Sequence, residues 1–180
     1  MFLCNVVSCC VEGYCAGSIK FMKKKYIRFI VTILTLIWMG IIFYFSSQPA
    51  VQSASLSGGI LRRIQEIVSA IPVMGDAFLV GFTEHILRKG AHMTEYAILG
   101  MLLILCMYQY LPEQKRRFRL PAALLVGILY AGSDEFHQTF VPGRSGELRD
   151  VLLDSVGVLV GIAVISAVHF MYRLDFKTAK

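Results

Sequence analysis

Three short clusters in this chain hold residue types that can move protons, bind an anion or ligate a metal. The first is Lys89, His92, Glu95 and Tyr96; the second is Asp134, Glu135, His137 and Gln138; the third is Asp150 and Asp154. Arg144 and Arg149 lie between the second and third clusters. Spacings of three and four residues place Lys89, His92 and Tyr96 on one face of a helix. Asp134, His137 and Gln138 share a face if their helix runs that far, and Asp150 and Asp154 are one turn apart. Three chemistries fit these types. Lys89, Arg144 and Arg149 can hold a phosphate or carboxylate while a histidine and a carboxylate transfer protons. His92, Glu95, Asp134 and His137 can ligate a divalent ion, although nothing in the spacing demands one. Alternatively, Lys89 and Arg144 neutralise Glu95, Asp134 and Asp154, and the network only fixes helix register. No cofactor is expected, and a divalent metal is the minor alternative. Ser133 and Ser145 lack a Ser-His-Asp arrangement.

Each cluster sits at one end of a strongly apolar segment. The chain has 180 residues, is 56% hydrophobic and has a mean hydropathy of +0.63. Bilayer-length apolar runs define an all-α, polytopic membrane protein. Four spans are expected, at about 26–45, 91–111, 120–138 and 151–172, forming a four-transmembrane-helix bundle. The third is short in purely apolar residues, so Asp134 and Glu135 must lie at the bilayer edge or in a water-filled dip. Between spans one and two, Ile60, Ile64, Ile67, Val68 and Ile71 recur at helical spacing opposite Arg62, Arg63, Gln65 and Glu66. This pattern predicts an extracytoplasmic amphipathic helix ending near Pro72, lying on the membrane surface or packed on the bundle. Val141 to Gly146 reads as a turn. Gly157 and Gly161 form a small-residue pair that lets another helix approach, a weak pattern taken alone.

The formal charge of +6 comes from short basic blocks beside apolar runs, which read as membrane orientation and lipid contact, not nucleic-acid binding. With both termini cytoplasmic, the inner segments hold Lys20, Lys23, Lys24, Lys25, Arg28, Lys115, Arg116, Arg117, Arg119, Arg173, Lys177 and Lys180. All three polar clusters then fall on the outer side, where ionisable groups face a partner or cavity by default. Cys4, Cys9, Cys10 and Cys15 show no metal-ligand spacing and fit no CxxC site, and Cys106 lies in an apolar segment. His85 and His169 read as solvated and interfacial residues. Trp38, Tyr44, Tyr108 and Tyr110 suit interfacial belts. Met22-Lys23-Lys24-Lys25 before an apolar run looks like a natural start, so residues 1–21 are expected to be an upstream start or a disordered leader ahead of one domain at 22–180. An intact mass of the natively expressed protein that includes Met1 contradicts this expectation.

At these residues the chain resembles the VanZ-like family. The resemblance rests on Arg88-Lys89-Gly90-Ala91-His92-Met93-Thr94-Glu95-Tyr96, on Ser133 through Arg144, on Arg149-Asp150-Val151, and on Asp154-Ser155-Val156-Gly157. The Phe45-Ser46-Ser47-Gln48-Pro49 exit from the first span also fits, so the likeness covers about residues 26–172. It implies a bacterial cell-membrane protein associated with teicoplanin-type glycopeptide resistance, a phenotype without a reaction attached. The expected partners are membrane lipid, a lipoglycopeptide or a lipid-linked wall precursor, and a second copy of the chain. Two alternatives stand beside this: a membrane enzyme acting on a phospholipid or polyprenyl phosphate, and a small transporter or assembly subunit.

Overall fold

A computed structural model describes residues 18–69 and 84–178. Among them every regular element is helical: α1 (Ser18–Ser46), α2 (Ala50–Ser69), α3 (Glu84–Tyr110), a 3-10 helix (Glu113–Phe118), α4 (Arg119–Gln138) and α5 (Leu148–Thr178). Residues 1–17 of the stretch expected as a leader at 1–21, four of the cysteines, Ile71 and Pro72 lie outside the described residues.

Among the described residues, three stretches are long and apolar enough to cross a membrane: Lys25–Ser46, Ile86–Tyr110 and Leu148–Met171. The chain is therefore a multi-pass membrane protein. The helix α4 is shorter, with 20 residues, and carries Arg119 at its start and Asp134 and Glu135 near its end. It does continue through Gln138, as the third segment requires if its acids are to share a face. The helix α3, which holds the expected second span, begins at Glu84, seven residues before 91, so His85 sits in a helical first turn.

Pro49 explains the break between α1 and α2. The residue before a proline is pushed away from helical geometry, and proline itself lacks the donor that a continuing helix needs. The Pro49 carbonyl instead accepts the first helical bond of α2, from the Ser53 amide at 3.0 Å. The new helix is also tied to the α4–α5 turn, because the Ala50 amide donates to the Pro142 carbonyl at 3.3 Å. It packs against α3, so α2 belongs to the bundle.

The helices α3 and α5 form the central pair, α4 packs on both, and α1 covers α3. Lipid tails are as apolar as leucine, so association depends on close packing. Glycine provides it here. A Cβ on Gly157 would stand 2.5 Å from the Met93 carbonyl oxygen, and one on Gly161 would overlap the Ala97 carbonyl. One on Gly100 would overlap the Val158 carbonyl in return. Tyr96, Leu99, Ile104, Val158 and Ile162 fill the core at this contact, with Ile42 closing it from α1. Outward faces are apolar, as at Ile33, Ile37, Leu125, Leu129 and Val164, which suits contact with lipid.

Trp38 is not a free interfacial ring. It is half-buried against the core, and its indole N–H donates to the Glu95 carbonyl at 2.9 Å. Tyr108 and Tyr110 do mark one end of the bundle. The Arg28 guanidinium lies over the Tyr110 ring at 5.0 Å, that of Arg119 over Tyr108 at 5.3 Å, and His169 packs on Tyr108 at 5.1 Å. Cys106 is buried, with its sulfur 3.3 Å from the Thr35 hydroxyl.

Candidate functional site

At the opposite end, the start of α3, the end of α4, the start of α5 and the α4–α5 loop converge. The loop is held by local chemistry. Gly143 has a φ of +75°, a conformation that side-chain-bearing residues rarely adopt. A Cβ on Gly146 would stand 2.5 Å from the Glu135 carbonyl oxygen. The loop thus folds flat onto the end of α4 and carries Arg144 back toward the bundle.

A hydrogen-bond network joins these parts. Ser46, at the last residue of α1, donates to Asp134 Oδ2 at 2.7 Å. Gln138 Nε2 donates to that same oxygen at 3.3 Å and to Glu135 Oε1 at 3.0 Å. The Glu147 amide donates to Glu135 Oε2 at 3.1 Å. Arg144 donates to Gln138 Oε1 at 3.1 Å and to the Phe45 carbonyl at 3.4 Å. Asp134, Glu135, Gln138 and Ser46 are all buried, so the bonds that Ser46 and Gln138 donate to the two carboxylates are made where water cannot replace them. Burial, and then the neighbouring Arg88 guanidinium, pull the Arg144 pKa below its ordinary value; Asp134, Glu135 and Glu95 act the other way.

The expected residues separate into two groups. Lys89, His92, Glu135, Gln138, Arg144, Asp150 and Asp154 line one cavity of about 130 Å³. Lys89 forms an ion pair with Asp150, and therefore does not neutralise Glu95, Asp134 or Asp154 as the register-fixing alternative supposed. Glu95 lies on the far side of His92, its carboxylate 3.8 Å from Nδ1. Asp134 sits behind the cavity, bound to Ser46. His137 turns away: its ring packs on Phe43 at 4.4 Å, and Glu135 takes the inward position on α4. Arg149 is exposed. The four side chains named for a metal, His92, Glu95, Asp134 and His137, are thus not brought together. Among the described residues no group of three or more His, Cys, Asp or Glu is arranged to hold an ion.

One cavity residue stands apart. Asp154 is 1% exposed, yet neither carboxylate oxygen has a hydrogen-bond partner. His92 Nδ1 is likewise buried without a hydrogen bond. A buried carboxylate with no donor is expensive, so such a group needs an explanation beyond packing.

The cavity opens beside a second, larger space of about 670 Å³ lined by the ends of α1, α2 and α3. Tyr44, Phe45, Ile60, Leu87 and Ala91 supply its apolar lining. Arg88, His92 and Arg144 line both spaces and so mark the junction between them. Sequence reasoning missed Ser46 and Arg88 as site residues. Both lay in quoted motif stretches, but a serine in a helix end and an arginine beside a lysine carry no spacing signal of their own.

No curated protein and no solved structure matches the chain. A family model does, over residues 31–170, a stretch that includes all three polar clusters and the network joining them. By that match the chain belongs to the VanZ/LLP1 family.

Proposed function

We propose that this protein contributes to teicoplanin-type glycopeptide resistance through the polar cavity and the apolar groove beside it. The observation that carries the reading is their shared boundary at Arg88, His92 and Arg144. A polar head and an acyl tail can be engaged together there, and lipoglycopeptides and lipid-linked wall material both have that form. In this reading the bundle crosses the membrane four times with both termini cytoplasmic. The basic 3-10 turn and the Arg28 and Arg119 end lie inside; α2 and the cavity lie outside, where such ligands are met. The cell membrane of a bacterium is the setting the family implies.

A membrane enzyme is the second reading, favoured by Asp154 and His92 lining one cavity with buried polar atoms that make no hydrogen bond, as groups awaiting a substrate do. Turnover of a phospholipid or polyprenyl phosphate by the purified protein would decide for it.

The primary test is the teicoplanin inhibitory concentration of a susceptible Gram-positive host expressing wild type, His92→Ala or Arg88→Gln. Membrane abundance is matched by immunoblot. Wild type is expected to protect, and both variants to fall to the empty-vector value at equal abundance, because neither side chain holds the network together. Protection by all three would make the junction scaffold and refute the site. No protection by wild type would refute the resistance role itself.

A further inference from the structure

We propose that the site binds a phospholipid whose headgroup carries a primary amine, with the amine on Asp154, the phosphate between Arg88 and Arg144, and an acyl chain in the α1–α2–α3 groove. This rests on the reading that cavity and groove are the working site, and it names the class of ligand.

The cavity and the junction carry polar groups of opposite sign that the protein leaves unmatched. Lys89 is matched by Asp150, and both oxygens of Glu135 accept hydrogen bonds. That leaves Asp154 as the cavity carboxylate with neither oxygen bonded, 1% exposed and lining the space. Only a donor entering the cavity can satisfy it, and a cationic donor does so most strongly. At the junction the imbalance has the opposite sign. Among the described residues no carboxylate lies within 4 Å of Arg88 or Arg144; Arg144 spends its bonds on neutral acceptors, Gln138 and the Phe45 carbonyl. Arg88 and Arg144 both line the junction of the two spaces, which makes it a ready anion site, and phosphate matches the planar fork of a guanidinium. A ligand answering both imbalances is therefore zwitterionic.

Size and surroundings complete the match. The cavity volume of about 130 Å³ is about four water molecules' worth of space, enough for a short amine arm. The groove begins where the arginines stand and runs between apolar side chains, Phe45, Ile60 and Leu87 among them. An amine that reaches Asp154 past a phosphate at the junction leaves the rest of the molecule pointing into that groove. This is the order of parts in an aminophospholipid. A free phosphate would leave Asp154 and the groove unfilled, and an anionic lipid without the amine would leave Asp154.

The test uses the full chain in a non-ionic detergent, titrated by native mass spectrometry. The probes are short-chain phosphatidylethanolamine, phosphatidylglycerol with the same chains, and phosphoethanolamine without chains. Wild type is expected to prefer the ethanolamine lipid over the glycerol lipid about tenfold, the effect of one hydrogen bond to a charged group. Asp154→Asn should erase the preference and keep glycerol-lipid affinity, while Arg88→Gln should weaken both lipids. Ile60→Gln should weaken both lipids but leave chainless phosphoethanolamine unchanged; it also serves if Asp154→Asn fails to fold. Equal affinity of wild type for the two lipids overturns the proposal. So does a preference that survives Asp154→Asn, or phosphoethanolamine binding as tightly as the lipid. These readouts involve no antibiotic. A lipid preference without teicoplanin protection refutes the resistance reading alone, and protection without the preference refutes the lipid ligand alone.

Discussion

Replacing Gly161 with leucine is expected to abolish the folded protein. Any Cβ there overlaps the Ala97 carbonyl of α3, and the obstacle is backbone, which cannot rotate away as a side chain does. The helices α3 and α5 would have to separate along their whole contact, exposing Tyr96, Leu99, Val158 and Ile162. Overpacking in a core that can partly adjust costs about 1–3 kcal/mol. Here the contact cannot adjust locally, and the loss should lie at or above the upper end. The measurement is the monodisperse fraction after detergent extraction, with Gly40→Leu as control. Gly40 lies in α1, and a Cβ there meets nothing within 4 Å, so this control should extract like wild type. Equal yields for the two variants would show that the close approach of α3 and α5 is not what holds the bundle.

Asp154→Asn is expected to give the second large effect, and in a different quantity. A buried charge inside a satisfied network destabilises strongly when its partner is lost, by about 3–5 kcal/mol. Asp154 has no such network among the described residues. Its conversion to a neutral amide of the same shape therefore breaks no hydrogen bond, so the folded state should keep its thermal stability. Teicoplanin protection, by contrast, should fall to the empty-vector value. Ser46→Ala makes the opposite comparison. It deletes the 2.7 Å donor to Asp134, and a hydrogen bond to a charged group contributes about 1.5–3 kcal/mol. That variant should lose stability. If Asp154→Asn unfolds and Ser46→Ala does not, then the roles assigned to these two groups are reversed.

Much of this was legible in the residues. The apolar runs named the membrane class, because a continuous apolar run of bilayer length satisfies its backbone groups within one segment only as a helix. Pro49 and the Pro142-Gly143 pair marked their breaks, since both act through local backbone geometry. The spacings put Asp150 and Asp154 on one helical turn and grouped Asp134, His137 and Gln138, of which Asp134 and Gln138 are buried at the site while His137 packs on Phe43. Gly157 and Gly161 offered a close-approach surface, although the pattern alone is weak.

What the sequence could not choose was partners. Lys89 had several acids within reach of its chain position and takes Asp150, because α5 rather than α4 begins beside it. Spacing grouped His137 with Asp134 and Gln138, yet Glu135 takes the inward position on α4. Which one turns in depends on where α1 lies, and α1 puts Phe43 against His137 and Ser46 against Asp134. The helical period fixes which residues share a face; it leaves open the rotation of that face toward its neighbours. That rotation is decided by long-range packing, here by glycine contacts between α3 and α5 and by the turn that sets Arg144 under α1. The unmatched carboxylate of Asp154 follows from the same cause. No count of charges along the chain reveals it, because a charge becomes unmatched only when its possible partners are folded onto one another.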